Sequence, residues 1–257
     1  MQTDQRATNP TACLLIIGDE ILSGRTQDAN LKFLGERLAA MGIQLSEARV
    51  VPDVEARIIE AVNTVRALYT YVFTTGGIGP THDDITTPCV AKAFGRKVVR
   101  HPGAEQKLRA YYGERTNEAR LRMAEIPDGA GVELIENHMS VAPGYRIENV
   151  FVMAGVPSVA RAMFDAVAPS LQTGAPVYSQ SVDAHVKEGD IAAALSAIQD
   201  AHPNVSIGSY PFMRLDKLGA SIVARSTDKA AISVVIDKVA EAMRALGEEP
   251  VFGPPPG

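Results

Sequence analysis

The sequence predicts an α/β protein: a three-layer, mostly parallel sheet covered by helices, followed by a small α+β domain. Apolar runs without polar alternation occupy residues 13–17 and 150–153, as in central parallel strands that are covered on both faces, and residues 71–75 form a third, β-type run. A glycine follows each run within two residues, and helical patterns separate the first two. Such alternation implies right-handed crossovers, with ligands outside the carboxyl ends of the strands.

Composition restricts the class of protein. The chain has 257 residues, of which 46% are hydrophobic, so it can bury a substantial core in two domains. A net charge of −5 argues against a nucleic-acid partner, and the apolar run after the polar N-terminus is too short to cross a membrane. Cys13 and Cys89 lie in apolar runs and indicate no disulfide framework. We therefore expect a cytoplasmic protein without a nucleic-acid or membrane partner.

The first third of the chain predicts two further helices and a strand. Residues 28–41 carry apolar side chains at three- and four-residue steps, which is typical of an amphipathic helix. Residues 43–51 predict a second strand. Asp53 then stands where it can cap a helix whose apolar face runs over residues 58–65.

The middle of the chain predicts helices that begin at polar residues. Thr87 and Pro88 are placed to open a short helix. Residues 103–124 predict a charged helical segment with a break in its middle, and residues 134–137 predict a short strand. Ser158 is placed to cap the helix that follows the strand at residues 150–153.

Residues 169–176 are rich in proline, glycine and small polar residues, which interrupt helices and strands, and we place the domain boundary there. The last third of the chain has a different order of predicted elements. Its order is β-α-β-β-α, and Thr227 or Asp228 is placed to cap a final helix with one apolar face. We divide the chain into a flexible N-terminus (residues 1–10), the α/β domain (residues 11–172), the α+β domain (residues 173–250) and a Pro/Gly tail (residues 251–257).

Residues 71–86, YVFTTGGIGPTHDDIT, are the most informative about function. A strand that ends in a three-glycine loop before a helix favours anion binding, because glycine lets the backbone approach a ligand and the helix directs free N–H groups at it. Asp83 and Asp84 would repel a phosphate unless a divalent cation lies between them, or unless they bind hydroxyls and ring nitrogens. The alternatives are a plain tight turn, a capping role for one aspartate, and an exposed loop imidazole at His82 instead of a catalytic base.

Carboxylates also follow the other predicted strands. Asp19 and Glu20 come after the first strand, and Asp53 comes after the second. Because the carboxyl ends of parallel strands meet at one edge of a sheet, we expect these residues and Gly155 to face one crevice. Solvated loop positions for Asp19 and Glu20, and the N-cap role for Asp53, are the structural alternatives.

Several motifs resemble the molybdopterin-binding (MogA/MoaB-like) fold and, more closely, the N-terminal part of the competence/damage-inducible CinA family. They occur in the family's order and span most of the chain. The resemblance implies the molybdopterin-binding fold for the first domain and a KH-like fold for the second. The motifs are IIGDEILSGRTQDAN (residues 16–30), TTGGIGPTHDDIT (74–86), AKAFG (91–95), APG (142–144), MAGVP (153–157) and SIGSYP (206–211).

The resemblance also implies an activity: hydrolysis of ADP-ribose to AMP and ribose 5-phosphate with Mg²⁺, Mn²⁺ or Co²⁺. The catalytic residues expected from it are Asp84, Asp83 and Asp53. The expected metal ligands are Asp19, Glu20, Asp83 and Asp84. The expected substrate- and phosphate-binding residues are Thr75, Gly76, Gly77, Gly79, Pro80, Thr81, Thr86, Asn137, Gly144, Gly155 and Pro157.

Other functions stay open at this point. The same loop would serve a binding module that holds molybdopterin or a related nucleotide without turnover. RNA binding by the KH-like unit is disfavoured, because residues 202–204 provide no GxxG loop with basic neighbours. The family's KH-like domain often assists dimer formation, so we expect a homodimer. Full-length members carry a further domain that deamidates nicotinamide mononucleotide, and since this sequence ends at Gly257 without it, we expect no deamidase activity.

Overall fold

The computed structural model describes residues 9–214 and 216–253. It divides into two compact units, one that ends at Gly174 and one that begins at Ala175. Most of the predicted flexible N-terminus and the last four residues of the predicted tail lie outside the described residues. Within the described ranges, no helix combines the length and the apolar character that a membrane crossing requires.

The secondary structure alternates strands and helices through the first unit. The strands are β1 (Thr11–Ile17), β2 (Gln44–Val51), β3 (Tyr71–Thr75), β4 (Val98–Arg100), β5 (Glu125–Pro127), β6 (Val132–Ile135), β7 (Gly144–Ile147), β8 (Val150–Met153), β9 (Tyr178–Ala184), β10 (Ser206–Arg214), β11 (Lys217–Ser226) and β12 (Val251–Gly253). The α-helices are α1 (Asp19–Leu22), α2 (Asn30–Ala40), α3 (Glu55–Leu68), α4 (Thr86–Ala93), α5 (Pro102–Tyr112), α6 (Glu118–Leu121), α7 (Pro157–Val167), α8 (Glu188–Ala201) and α9 (Lys229–Ala245).

The first unit has three layers around a six-stranded sheet of order β2-β1-β3-β8-β7-β6. β2, β1, β3 and β8 are parallel, as predicted, and nearly every residue of β1, β3 and β8 is buried. Alternate residues of β1 enter two different cores, one with α3 and α4 and one with α2 and α7. This burial on both faces explains why the sequences of β1 and β8 are nearly continuous apolar runs.

β7 is an element that the sequence did not predict. Its four residues, GYRI, include a glycine and an arginine and form no apolar run. β7 is antiparallel to both of its neighbours, β6 and β8, so the sheet is mixed.

Three of the predicted helix caps are wrong, and one is confirmed. α4 begins one residue before Thr87, and α7 begins one residue before Ser158; neither helix has a side-chain cap. Asp53 does not cap α3, because its carboxylate binds a backbone amide in another loop. Asp228 does cap α9: its Oδ1 accepts hydrogen bonds from two amides of the first turn.

The second unit is an antiparallel sheet of order β10-β11-β9-β12, with a core shared between the sheet, α8 and α9. Its order, β-α-β-β-α-β, is the split β-α-β arrangement. The KH-like fold is not confirmed. β12 also corrects the predicted tail, because residues 251–253 pair with β9 instead of belonging to an irregular end. Val251 and Phe252 favour extended backbone. The prediction missed this strand because it assigned both residues to the tail on the basis of the prolines that follow them.

Candidate functional site

The loops after β1, β2, β3 and β8 meet at one edge of the sheet, because these four strands are parallel neighbours. Two cavities open at this edge, one of about 520 Å³ and one of about 540 Å³. Both are lined by Glu20, Gly77 and Asp84. The two cavities therefore border each other at these three residues, beside the glycine loop, and we call this border their junction.

The first cavity is acidic. Among its lining residues, the only guanidinium is that of Arg25, which makes no ion pair with any carboxylate in the described ranges. Arg25 was missed at the sequence level because a single arginine in a polar loop carries no signal of its own. The carboxylates that line this cavity are those of Asp19, Glu20, Asp53, Asp83 and Asp84.

Asp53 connects two of the converging loops. Its Oδ2 accepts a hydrogen bond from the backbone N–H of Asp19 at 2.9 Å. Burial raises the pKa of Asp53; the bond from Asp19 partly opposes this, and the nearby carboxylates of Asp19, Glu20 and Asp83 add to the rise. Asp53 is thus part of the acidic cavity and makes no helix cap.

The glycine loop is held in a shape that only glycine adopts without strain. Gly76 has φ 105° and Gly77 has φ 67°. A Cβ on Gly76 would lie 2.1 Å from the backbone oxygen of Ile17, and one on Gly77 would lie 2.1 Å from Thr86 Oγ1. Thr86 also donates its hydroxyl to Gly76 O at 2.9 Å and its N–H to Gly77 O at 3.0 Å. The loop is therefore folded tightly onto the start of α4.

This geometry leaves backbone donors free. The amides of Gly77, Ile78 and Gly79 donate to no other group in the part of the chain that the structure describes. All three residues line the cavities. Free N–H groups at a loop that precedes a helix form an anion-binding surface.

Asp84 is fixed by its own loop. One carboxylate oxygen, Oδ2, accepts hydrogen bonds from the N–H and the hydroxyl of Thr81. Thr81 therefore supports Asp84, and Oδ1 of Asp84 stays available to a ligand. The Arg122 guanidinium donates to Thr81 O at 2.9 Å and to Asp84 O at 3.2 Å. Arg122 was not among the predicted residues, because no local pattern links it to a loop so distant in sequence.

The second cavity is mostly apolar. Predicted residues Gly79, Pro80, Gly155 and Pro157 line it. Such a surface fits a flat heteroaromatic ring better than a charged group. Its apolar wall includes Ile78, Pro80, Met123, Ala154, Val156 and Met163.

Five predicted substrate- and phosphate-binding residues do not line either cavity. One of them, Thr81, instead supports the carboxylate of Asp84. Thr75 and Thr86 are buried beneath the loop. Asn137 lines a separate cavity of about 170 Å³, and its Oδ1 accepts hydrogen bonds from the backbone of the following residues, including Ser140 N at 2.6 Å. Gly144 is buried in β7, where a Cβ would lie 2.3 Å from a backbone oxygen of β8. These positions hold the scaffold together.

The carboxylates of the first cavity could hold a metal ion only together with a ligand. Carboxylate oxygens suit Mg²⁺ and Mn²⁺. However, among residues 9–214 and 216–253 no three His, Cys, Asp or Glu side chains are arranged to hold an ion. Asp53 and Asp84 each give one oxygen to a backbone amide. The residues therefore fit an ion bound by one or two carboxylates together with ligand phosphates, as Mg²⁺ commonly is.

Comparison with known proteins defines the class. Residues 13–173 match the family described as "Probable molybdopterin binding domain", and residues 176–248 match "FAD synthase, middle domain". The chain belongs to the probable molybdopterin-binding domain family.

Individual relatives refine this assignment. The chain is 31% identical to the protein CinA from Thermoplasma acidophilum, with a TM-score of 0.59 over 64% of this chain and 99% of that one. This similarity supports the CinA-like resemblance. The chain is 36% identical to a protein of Aeropyrum pernix, over 93% of this chain and 91% of the relative. It is 31% identical to a "Probable FAD synthase" of Caenorhabditis elegans over 93% of this chain, and it spans 51% of that relative.

Proposed function

We propose that the protein is a metal-dependent nucleotide pyrophosphatase that hydrolyses ADP-ribose to AMP and ribose 5-phosphate. The observation that carries this proposal is the junction of the two cavities at Glu20, Gly77 and Asp84. If the diphosphate of ADP-ribose binds at this junction, the adenine ring would lie in the apolar cavity. The second ribose would lie in the acidic cavity, where hydroxyl groups can donate hydrogen bonds to carboxylates.

The chain's own groups suit a diphosphate. The free amides of Gly77, Ile78 and Gly79 would bind non-bridging phosphate oxygens, and the unpaired guanidinium of Arg25 would neutralise part of their charge. Oδ1 of Asp53, the carboxylate oxygen that the amide of Asp19 leaves free, would accept a proton from the attacking water.

A divalent ion would complete the site. Bound by carboxylates chosen from Asp19, Glu20, Asp83 and Asp84, it would offset charge on the phosphates and lower the pKa of a bound water. The relatives named as FAD synthases support the same ligand class, because FAD and ADP-ribose share an adenosine diphosphate group.

The experiment is a direct assay. Purified protein is incubated with ADP-ribose and Mg²⁺, Mn²⁺ or Co²⁺, and AMP is quantified by anion-exchange chromatography. Asp84→Asn keeps an oxygen that can accept from Thr81 but removes the charge, so kcat/KM should fall about 100-fold. Asp165→Asn is the matched control, because Asp165 pairs with Arg37 and lines neither of the joined cavities. Absence of turnover with every metal, or equal activity of the two variants, would exclude the proposal.

A second candidate is a binding module that holds molybdopterin or a nucleotide without turnover. One observation favours it: no three metal-ligating side chains converge in the described ranges. Thermal-shift ranking of molybdopterin analogues against ADP-ribose, without product formation, would support this candidate. The homodimer and the cytoplasmic location stay predictions; light scattering after size-exclusion chromatography tests the first.

A further inference from the structure

One side chain outside the loop of Asp83 and Asp84 holds it in place. Arg122 Nη1 donates to Thr81 O at 2.9 Å, and Nη2 donates to Asp84 O at 3.2 Å. Inside the loop, Thr81 donates its N–H and its hydroxyl to Asp84 Oδ2, and Asp84 N donates to Thr81 O at 3.2 Å. Both ends of this turn are therefore bound to the same guanidinium.

Arg122 is itself held on a firm support. It begins a short 3₁₀ turn, and its neighbours Leu121 and Ala124 are buried in a core cluster with residues of α5. Arg122 is half-buried and forms no ion pair with a carboxylate of the described residues. Within those residues, its guanidinium makes hydrogen bonds only to the backbone oxygens of Thr81 and Asp84. The next residue, Met123, lines the apolar cavity. One segment thus supports both the acidic loop and the apolar wall.

We propose that Arg122 is a positioning residue that holds the Asp84 carboxylate at the junction of the two cavities. Without its two hydrogen bonds, the exposed turn from Thr81 to Asp84 keeps only its internal bonds and can move away from the glycine loop. The kinetic consequence of this role, unlike the role itself, rests on the proposed function.

Hydrogen exchange tests the position of the loop without any ligand. In Arg122→Gln, the hydrogen-bonded amides of Thr81, Asp84 and Thr86 should exchange about tenfold faster than in the wild type, because the two hydrogen bonds that hold the turn are lost. Arg122→Lys should lie between the two, since an ammonium group lacks the planar fork that binds both carbonyls. Arg120→Gln is the matched control: Arg120 donates to Arg115 O and lies 4.6 Å above the Tyr112 ring, with no bond to the loop. Unchanged exchange in Arg122→Gln would overturn the proposal.

Kinetics then separate positioning from general damage to the fold. With ADP-ribose and metal, Arg122→Gln should lower kcat about tenfold with little change in KM, and Arg122→Lys should restore part of it. Equal losses in Arg120→Gln and Arg122→Gln would contradict the role. If Arg122→Gln fails to fold, Arg122→Lys carries both measurements. If the wild type shows no turnover, the proposed function fails, while the exchange experiment still decides whether Arg122 holds the loop.

Discussion

Thr86→Val removes one hydroxyl from beneath the glycine loop and changes little else. Thr86 is fully buried, and its Oγ1 donates to the buried Gly76 O at 2.9 Å. No other described group donates to that carbonyl oxygen. Valine has nearly the same shape but no donor, so the mutation leaves a buried acceptor unpaired, which costs about 1–3 kcal/mol of the free energy of unfolding. The midpoint of thermal unfolding should fall by about 2–4 °C for each kcal/mol.

Thr74→Val is the matched control. Thr74 is equally buried, but its hydroxyl has no hydrogen-bond partner within the described ranges. Removing it relieves the burial of an unpaired polar group, so the variant should be as stable as the wild type or about 1 kcal/mol more stable. Urea unfolding followed by circular dichroism, compared at equal m-values, measures both changes. Equal shifts in the two variants would refute the hydrogen bond as the source of loop stability.

Three further predictions use other positions. Gly76→Ala should destabilise the protein by about 3 kcal/mol in the same urea assay, because its positive φ is strained for alanine and a Cβ would collide with the backbone of β1; a loss below about 1 kcal/mol would contradict this. The raised pKa of Asp53 favours its protonated form in the folded state, so its stabilising contribution is present at acid pH and is lost as the pH rises through that pKa. Asp53→Asn should therefore gain stability relative to the wild type between about pH 4 and pH 7, and unfolding curves at the two pH values that show no relative gain would disprove it. Burial raises the pKa of Cys13 to about 12 and that of Cys89 to about 11. Ellman's reagent at pH 8 should therefore label both thiols only after unfolding, and rapid labelling of the native protein would contradict this prediction.

Some of the fold could be predicted because the physical cause is local. β3 and β8 lie where the β-type run at residues 71–75 and the apolar run at residues 150–153 placed them, since a strand covered on both faces favours apolar and β-branched residues. Asp228 caps α9 as predicted, because its carboxylate reaches amides only two and three residues away. β7 was missed because its four residues owe their strand structure to hydrogen bonds with β6 and β8.

The candidate site was likewise predictable only in part. By itself, the sequence determined the alternation of strands and helices up to α4, the parallel central strands and hence the edge at which glycines and carboxylates collect. Only the tertiary structure decided which partner each side chain takes. Asp53 could cap α3 or bind the amide of Asp19, and the second arrangement depends on β1 and β2 lying side by side. The hydrogen bond from Arg122 to Asp84 O also joins segments that are distant in sequence. It depends on how the intervening elements pack, and no short stretch of sequence encodes that packing.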